Sequence, residues 1–248
     1  MSKTSDNRNQ ILQALDGKTF KDLAPQWKLH IKRMFQGIKD DEEIHCLLPK
    51  HSGKVSLMIS SCGRTVALGI KTGRSTVIHR ERVSEFVNFL LRHDVEKSVC
   101  ATYLFYHFGD GTIKGNGGKR MTVAELRKEY GEHFEFASKK LQGKELIEAI
   151  LRRTFLEGNG PSEANIDYFY YGTVSFGYLA SADEVMSFLR KKTERNSPFY
   201  IGPFSIQPCN RNLDRDVSLE RERYIVLFKW AALKEDMKSI AMNSSAML

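Results

Sequence analysis

Long apolar runs are missing from this chain of 248 residues, and no stretch approaches the length needed to cross a bilayer. A soluble protein with no membrane contact is expected. Cysteine is scarce and scattered: Cys46, Cys62, Cys100 and Cys209 have no short paired spacing, which argues against both a thiolate zinc site and a disulfide framework. A reducing, cytoplasmic setting fits that usage. The opening stretch from Met1 to Gln10 lacks the apolar segment of a secretory signal. Internal repeats and low-complexity tracts are also missing, so solenoid and fibrous architectures drop out. Cofactor signatures are lacking too. The glycine-rich stretch from His107 to Arg120 has neither the lysine-serine/threonine ending nor the glycine spacing of a nucleotide-binding loop, and an ordinary metabolic enzyme gains little support.

The length is enough to bury a substantial core. Thirty-eight Lys and Arg against thirty Asp and Glu give a formal charge of +8 and an isoelectric point near 9.2, which favours a polyanionic partner, nucleic acid first. Basic proteins without such a partner also exist.

The most informative stretch runs from Arg64 to Gly73. Alternation at period two puts Val66, Leu68 and Ile70 on one face of a strand and Ala67, Gly69 and Lys71 on the other. Lys71 leaves the sheet beside small residues, which either opens space for a phosphate or a metal-bound water or simply ends an amphipathic strand in solvent. Lys54 to Ser60 alternates as well, and Ser61-Cys62-Gly63 is a tight turn between the two, bringing Lys54 or Ser56 opposite Gly69. Helices are expected over Asn9–Leu15, Gln26–Lys39 behind Pro25, Glu81–Arg92, Val123–Tyr130 with a Thr122/Glu125 capping box, Gly143–Leu156 and Ser181–Lys191. Asp40 to Glu43 reads as a turn. Val99–Phe108, Phe199–Gln207 and Arg223–Trp230 read as strands, and Tyr168 to Tyr171 as an aromatic strand that stacks bases or fills a core. The tail after Lys238 is expected to fray. The chain divides into a core over 1–112 and a mixed α+β half over 113–248, or forms one continuous domain.

The order helix, antiparallel strand pair, helix, strand, with a lysine closing the pair, resembles the core of the PD-(D/E)XK superfamily, the α/β fold of many restriction endonucleases. Ile70-Lys71-Thr72-Gly73, then Ile78-His79-Arg80-Glu81, then His107-Phe108-Gly109-Asp110-Gly111-Thr112 is similar to bacterial proteins of restriction-endonuclease-like type. The resemblance covers residues 25 to 112. It implies endonucleolytic cleavage of DNA, of the kind used in bacterial defence. An aspartate on the first strand and an acid two before the lysine would hold magnesium or manganese, and the metal would activate a water. Lys71 matches the lysine, while Ser56 and Gly69 stand where the acids belong. Glu81, Glu43 and Asp110 are the acids that could replace them as metal ligands. The catalytic set is then Lys71, Glu81, His79 and Ser56, with His79 as a base or phosphate contact, or as a structural hydrogen bonder. Lys114, Lys119 and Arg120 on a mobile loop, and Arg211 and Arg215 further on, are expected to bind the nucleic-acid backbone. Acids near the second group also permit plain ion pairing. The alternative is a non-catalytic nucleic-acid-binding or assembly subunit that kept the fold and lost the metal ligands. On either reading DNA is the first expected partner and RNA the second, and a homodimer or larger complex is open.

Overall fold

The computed structural model describes residues 3–50, 53–157, 164–194, 197–212, 214 and 219–245. In chain order the elements are α1 (Lys3–Leu15), β1 (Lys18–Thr19), a 3-10 turn (Phe20–Asp22), α2 (Pro25–Met34), β2 (Glu43–Leu47), β3 (Leu57–Ser61), β4 (Arg64–Lys71), β5 (Val77–Arg82), α3 (Val83–Arg92), α4 (Lys97–Phe108), α5 (Val123–Lys140) and α6 (Lys144–Leu151). A π turn (Arg152–Glu157) follows, then β6 (Tyr168–Gly172), β7 (Gly177–Ser181), α7 (Ala182–Leu189), β8 (Tyr200–Ile201), β9 (Phe204–Pro208), α8 (Glu220–Arg223), β10 (Ile225–Lys229) and α9 (Leu233–Ser245). The architecture is α/β, as expected, with one mixed and one antiparallel sheet. Among the described residues no helix is long and apolar enough to cross a membrane.

The chain forms two compact units that interleave in sequence: Met1–Ser75, Phe155–Phe188 and Ala232–Leu248 make the first, Thr76–Thr154 and Leu189–Ala231 the second. A cut at residue 112 falls inside the second unit.

The first unit holds a six-stranded sheet in the order β1-β2-β3-β4-β6-β7, antiparallel throughout except for the parallel pair β4/β6. Cys62 and Gly63 both adopt positive φ, 51° and 69°, the geometry of a two-residue hairpin turn, so Ser61 pairs with Arg64 and Leu57 with Leu68. Val66, Leu68 and Ile70 enter the core with Ile11, Trp27 and Ile31. In α2 the buried residues Trp27, Ile31 and Met34 follow the helical period, and Pro25 occupies its first turn. This helix stops at Met34 rather than at Lys39, because Phe35 leaves helical angles and Gly37 turns the chain at φ 77°. The tail after Lys238, expected to fray, continues helix α9 through Ser245, with residues 246–248 outside the described residues; Leu233, Met237 and Ile240 form the helix's buried stripe at helical spacing.

The second unit builds an antiparallel sheet in the order β5-β10-β9-β8. The expected strand over Val99–Phe108 is helix α4. Its buried residues Val99, Cys100, Tyr103, Tyr106 and His107 recur at helical intervals, and a short, mostly apolar run does not reveal that period against a strand. The helix expected from Glu81 begins at Val83, since β5 continues through Arg82. Aromatic rings knit the core: Phe86 meets Tyr103 and Phe228 edge-on at 5.0 and 5.1 Å, and Tyr103 meets Phe199 at 5.3 Å. The Thr122/Glu125 capping box forms as the sequence indicates, and α5 runs ten residues beyond the expected end at Tyr130, to Lys140.

His107 is fully buried in this core. Its Nε2 lies 2.9 Å from the Arg223 carbonyl, which can only accept, so Nε2 carries the proton and Nδ1 accepts from the Tyr103 hydroxyl at 3.2 Å. Burial, only partly offset by the bond to Arg223 and reinforced by the Arg120 and Arg223 charges, pulls its pKa from 6.5 down to about 3. The unfolded chain therefore takes up this proton first on acidification. The stability this group contributes is present above pH 6.5 and is lost progressively as the pH falls toward 3. Urea unfolding of His107→Gln should show lower stability at pH 7 but a shallower decline between pH 6.5 and 4 than the wild type. An unchanged decline would place the acid sensitivity elsewhere.

Candidate functional site

Lys71 closes β4, and the hairpin places its partners as the alternation requires. The Ser56 N–H donates to the Leu68 carbonyl at 2.8 Å, and the Ser56 hydroxyl accepts the Ile70 N–H at 3.0 Å, which carries the pairing past the end of β3. Ser56 thus stands at the level of Gly69. On the other flank β6 pairs Gly69 with Phe169 and Lys71 with Tyr171. A Cβ at position 69 would meet Phe169 Cδ2 at 3.2 Å, Ile166 Cγ2 at 3.3 Å and the Lys54 carbonyl at 3.4 Å. The space expected beside the lysine is filled from β6 and the residues before it. Phe169 is itself held by Phe155, rings 5.1 Å apart. Half-burial pushes the Lys71 ammonium below its ordinary pKa.

The Tyr171 hydroxyl donates to the Gly73 carbonyl at 2.6 Å and fixes the chain just after the lysine. Burial raises the Tyr171 pKa, and the Glu235 carboxylate adds to the rise. Glu235, in the first turn of α9, is therefore an acid whose field reaches this end of the sheet. The sequence reading missed it because the residues that follow looked unpatterned. Of the remaining aromatic run, Tyr168 donates to the Arg33 carbonyl at 3.0 Å and Tyr170 to the Thr173 carbonyl at 2.6 Å, so these hydroxyls anchor the fold.

Glu43 lies at the opposite end of the sheet. Its carbonyl accepts the Ser61 hydroxyl at 2.9 Å, and Ser61 pairs with Arg64 at the hairpin turn. Seven residues of β4 separate that level from Lys71, about 23 Å at strand rise. The register does not bring Glu43 to Lys71.

The other candidates belong to the second unit. His79 and Glu81 lie two apart on strand β5, so both point inward. Glu81 accepts from Arg153 Nε at 3.2 and 3.3 Å and also from Arg153 Nη2, while His79 Nε2 stands 3.6 Å from its other oxygen. Burial pushes the Glu81 pKa up, but the hydrogen bonds from His79 and Arg153 and their charges outweigh it and hold the carboxyl below its usual range. The Arg153 guanidinium also sits 5.0 Å over the Phe89 ring. This ion pair, buried on the Glu81 side, ties β5 to Arg153.

The glycine-rich loop is braced as well, rather than the mobile element expected. Asp110 Oδ1 accepts the Thr112 N–H at 3.0 Å and the Thr112 hydroxyl at 2.8 Å; Oδ2 accepts the Gly117 N–H at 3.0 Å and Arg223 Nη2 at 2.5 Å. Burial alone would raise this carboxyl, but those donors keep its pKa low. Four donors fill the carboxylate's acceptor positions. Arg120 is buried, not presented to a ligand. Its guanidinium donates to the carbonyls of His107, Phe108 and Tyr106 at 2.5, 2.6 and 3.2 Å and so caps the C-terminus of α4. Lys114, Lys119 and Arg211 are exposed. Arg215 lies outside the described residues.

Among the described residues no group of three or more His, Cys, Asp or Glu is arranged to hold a metal ion. Adding a carboxylate beside Lys71 should cost stability. Gly69→Glu must displace Phe169 or Ile166, and overpacking of this kind destabilises by about 1–3 kcal/mol. Urea unfolding checks it; a variant as stable as the wild type would show that the flank yields freely.

No family model matches the sequence, and no curated protein matches it. Among solved structures, the chain is similar to restriction endonuclease MspI in complex with its cognate DNA, with a TM-score of 0.40 and 14% sequence identity over 75% of this chain and 70% of that one.

Proposed function

We propose that the protein binds nucleic acid, with duplex DNA as its partner, and that its lysine-ended strand pair meets a phosphate without a divalent cation. The observation that carries this reading is the setting of Lys71: an ammonium at a strand end, a serine hydroxyl at the level of Gly69, and Phe169 and Ile166 filling the position where a carboxylate would stand. Magnesium and manganese need several hard oxygen ligands, carboxylates above all. Ser56 and Gly69 do not fit that need. Glu81 is committed to Arg153 and Asp110 to its own loop and Arg223. An ammonium beside a phosphate needs only charge and access, and the +8 balance of the chain supplies attraction at longer range.

A second reading, metal-dependent cleavage of DNA, draws on Glu235, whose charge reaches Tyr171 beside Lys71. In that reading Lys71 stabilises charge on the reacting phosphate and Glu235 supplies an acid the hairpin lacks.

The two readings part in one set of assays. Anisotropy of a labelled duplex should show affinity falling steeply with salt, and Lys71→Ala should weaken binding and flatten the dependence by about one phosphate contact, roughly 0.9 in the log–log slope. Incubation with magnesium or manganese should leave the duplex intact. Cleavage that disappears in Lys71→Ala and in Glu235→Gln would establish the second reading, and no binding at low ionic strength would remove both.

A further inference from the structure

Strand alternation gives the second unit a cationic face. His79 and Glu81 point into the core from β5, so Arg80 and Arg82 point away from it, and both are exposed. On β10 the buried residues are Val226 and Phe228, which turns Leu227 and Lys229 outward. The register aligns the rows: Arg80, Leu227 and Gln207 lie side by side across β5, β10 and β9, with Arg82 beside Ile225 one row along and Lys229 one row the other way. Arg211, just past β9, donates from its guanidinium to the Gln207 side chain and so stands over the middle row.

The charges on this face converge. Burial and then the Glu222 carboxylate raise the Cys209 thiol, while Arg80 and Lys229 both oppose that rise, and the Lys229 ammonium is pulled down by burial and then by the Arg211 charge. Among the described residues the Glu222 carboxylate stands at the margin, 3.8 Å from Cys209 Sγ. Among the described residues none of Arg80, Arg82, Arg211 and Lys229 forms a salt bridge. Elsewhere in the same unit arginines are matched: Arg153 with Glu81, Arg223 with Asp110, Arg190 with Glu148. Like charges gathered with Glu222 as the acid recorded beside them among the described residues oppose folding, and a polyanion is the ligand that turns that cost into affinity.

We propose that this sheet face, through Arg80, Arg82, Arg211 and Lys229, is the surface on which the second unit takes the phosphate backbone of DNA. It rests on the nucleic-acid reading above. Guanidinium forks suit phosphate oxygens, and side chains rising from a sheet present several donors to one strand of the duplex without entering a groove, so contact is to backbone rather than base.

The test uses the full chain and a labelled 20-base-pair duplex. Arg80→Ala/Arg211→Ala/Lys229→Ala should bind at least tenfold more weakly, with a salt slope less steep by about 2–3, since each lost phosphate contact removes roughly 0.9. A control, Lys18→Ala/Lys21→Ala/Lys39→Ala, removes the same charge from exposed positions of the first unit and should bind within about twofold of wild type. Equal losses in the two triples would reduce the effect to net charge and overturn the face. Retained far-ultraviolet circular dichroism guards against misfolding. Arg80→Gln alone, at an exposed position, should weaken binding several-fold, and no change in it would overturn the assignment even if the triple misfolds. Polyglutamate that displaces the duplex as well as unlabelled DNA does would identify an acidic protein as the partner instead. A wild type that binds no duplex at low salt would sink the nucleic-acid reading itself, whereas a wild type that binds while the triple is unimpaired sinks only this face.

Discussion

The first unit depends on the parallel contact between β4 and β6. Because position 69 carries no side chain, Phe169 and Ile166 can close against the β4 backbone, and the register that follows sets Tyr171 beside Lys71. A larger residue there would crowd the Phe169 and Ile166 side chains. The same glycine that departs from the metal-binding signature is thus the residue that seals the sheet.

The second unit solves a different problem, the placement of strong charges in an aromatic core. Three arginines answer it, Arg120 and Arg223 buried and Arg153 partly so: Arg153 neutralises Glu81, Arg223 ties Asp110 to the loop backbone at Gly115, and Arg120 satisfies the orphan carbonyls at the end of α4. Removing one partner would leave a buried charge uncompensated, which is far costlier than the pair is stabilising. Acids that look available for chemistry in one dimension are therefore the ones the fold uses most fully.

What the sequence disclosed was local. Turn chemistry at Cys62-Gly63, alternation in β3 and β4 and the capping box at Thr122 are all decided within a few residues, and each formed as read. Ser56 at the level of Gly69 followed from the same logic. The misses were non-local. α4 is apolar on most sides because it is packed on most sides, so its period was hidden; α9 shows its buried stripe only once β7 is there to receive it. Glu81 and Asp110 gave no sign of being committed, since Arg153 and Arg223 lie 72 and 113 residues away along the chain.

The pairing of β4 with β6 joins positions a hundred residues apart, as the bond from the Ala67 N–H to the Asp167 carboxylate illustrates. During synthesis β4 emerges early, and most of the second unit's helices must leave the ribosome before its parallel neighbour exists. Until then the hairpin presents an unpaired edge whose next residues are apolar. Closure of so long a loop is slow, which makes this sheet a late step of folding and its waiting edge the place where a chaperone, or another copy of the nascent chain, would first take hold.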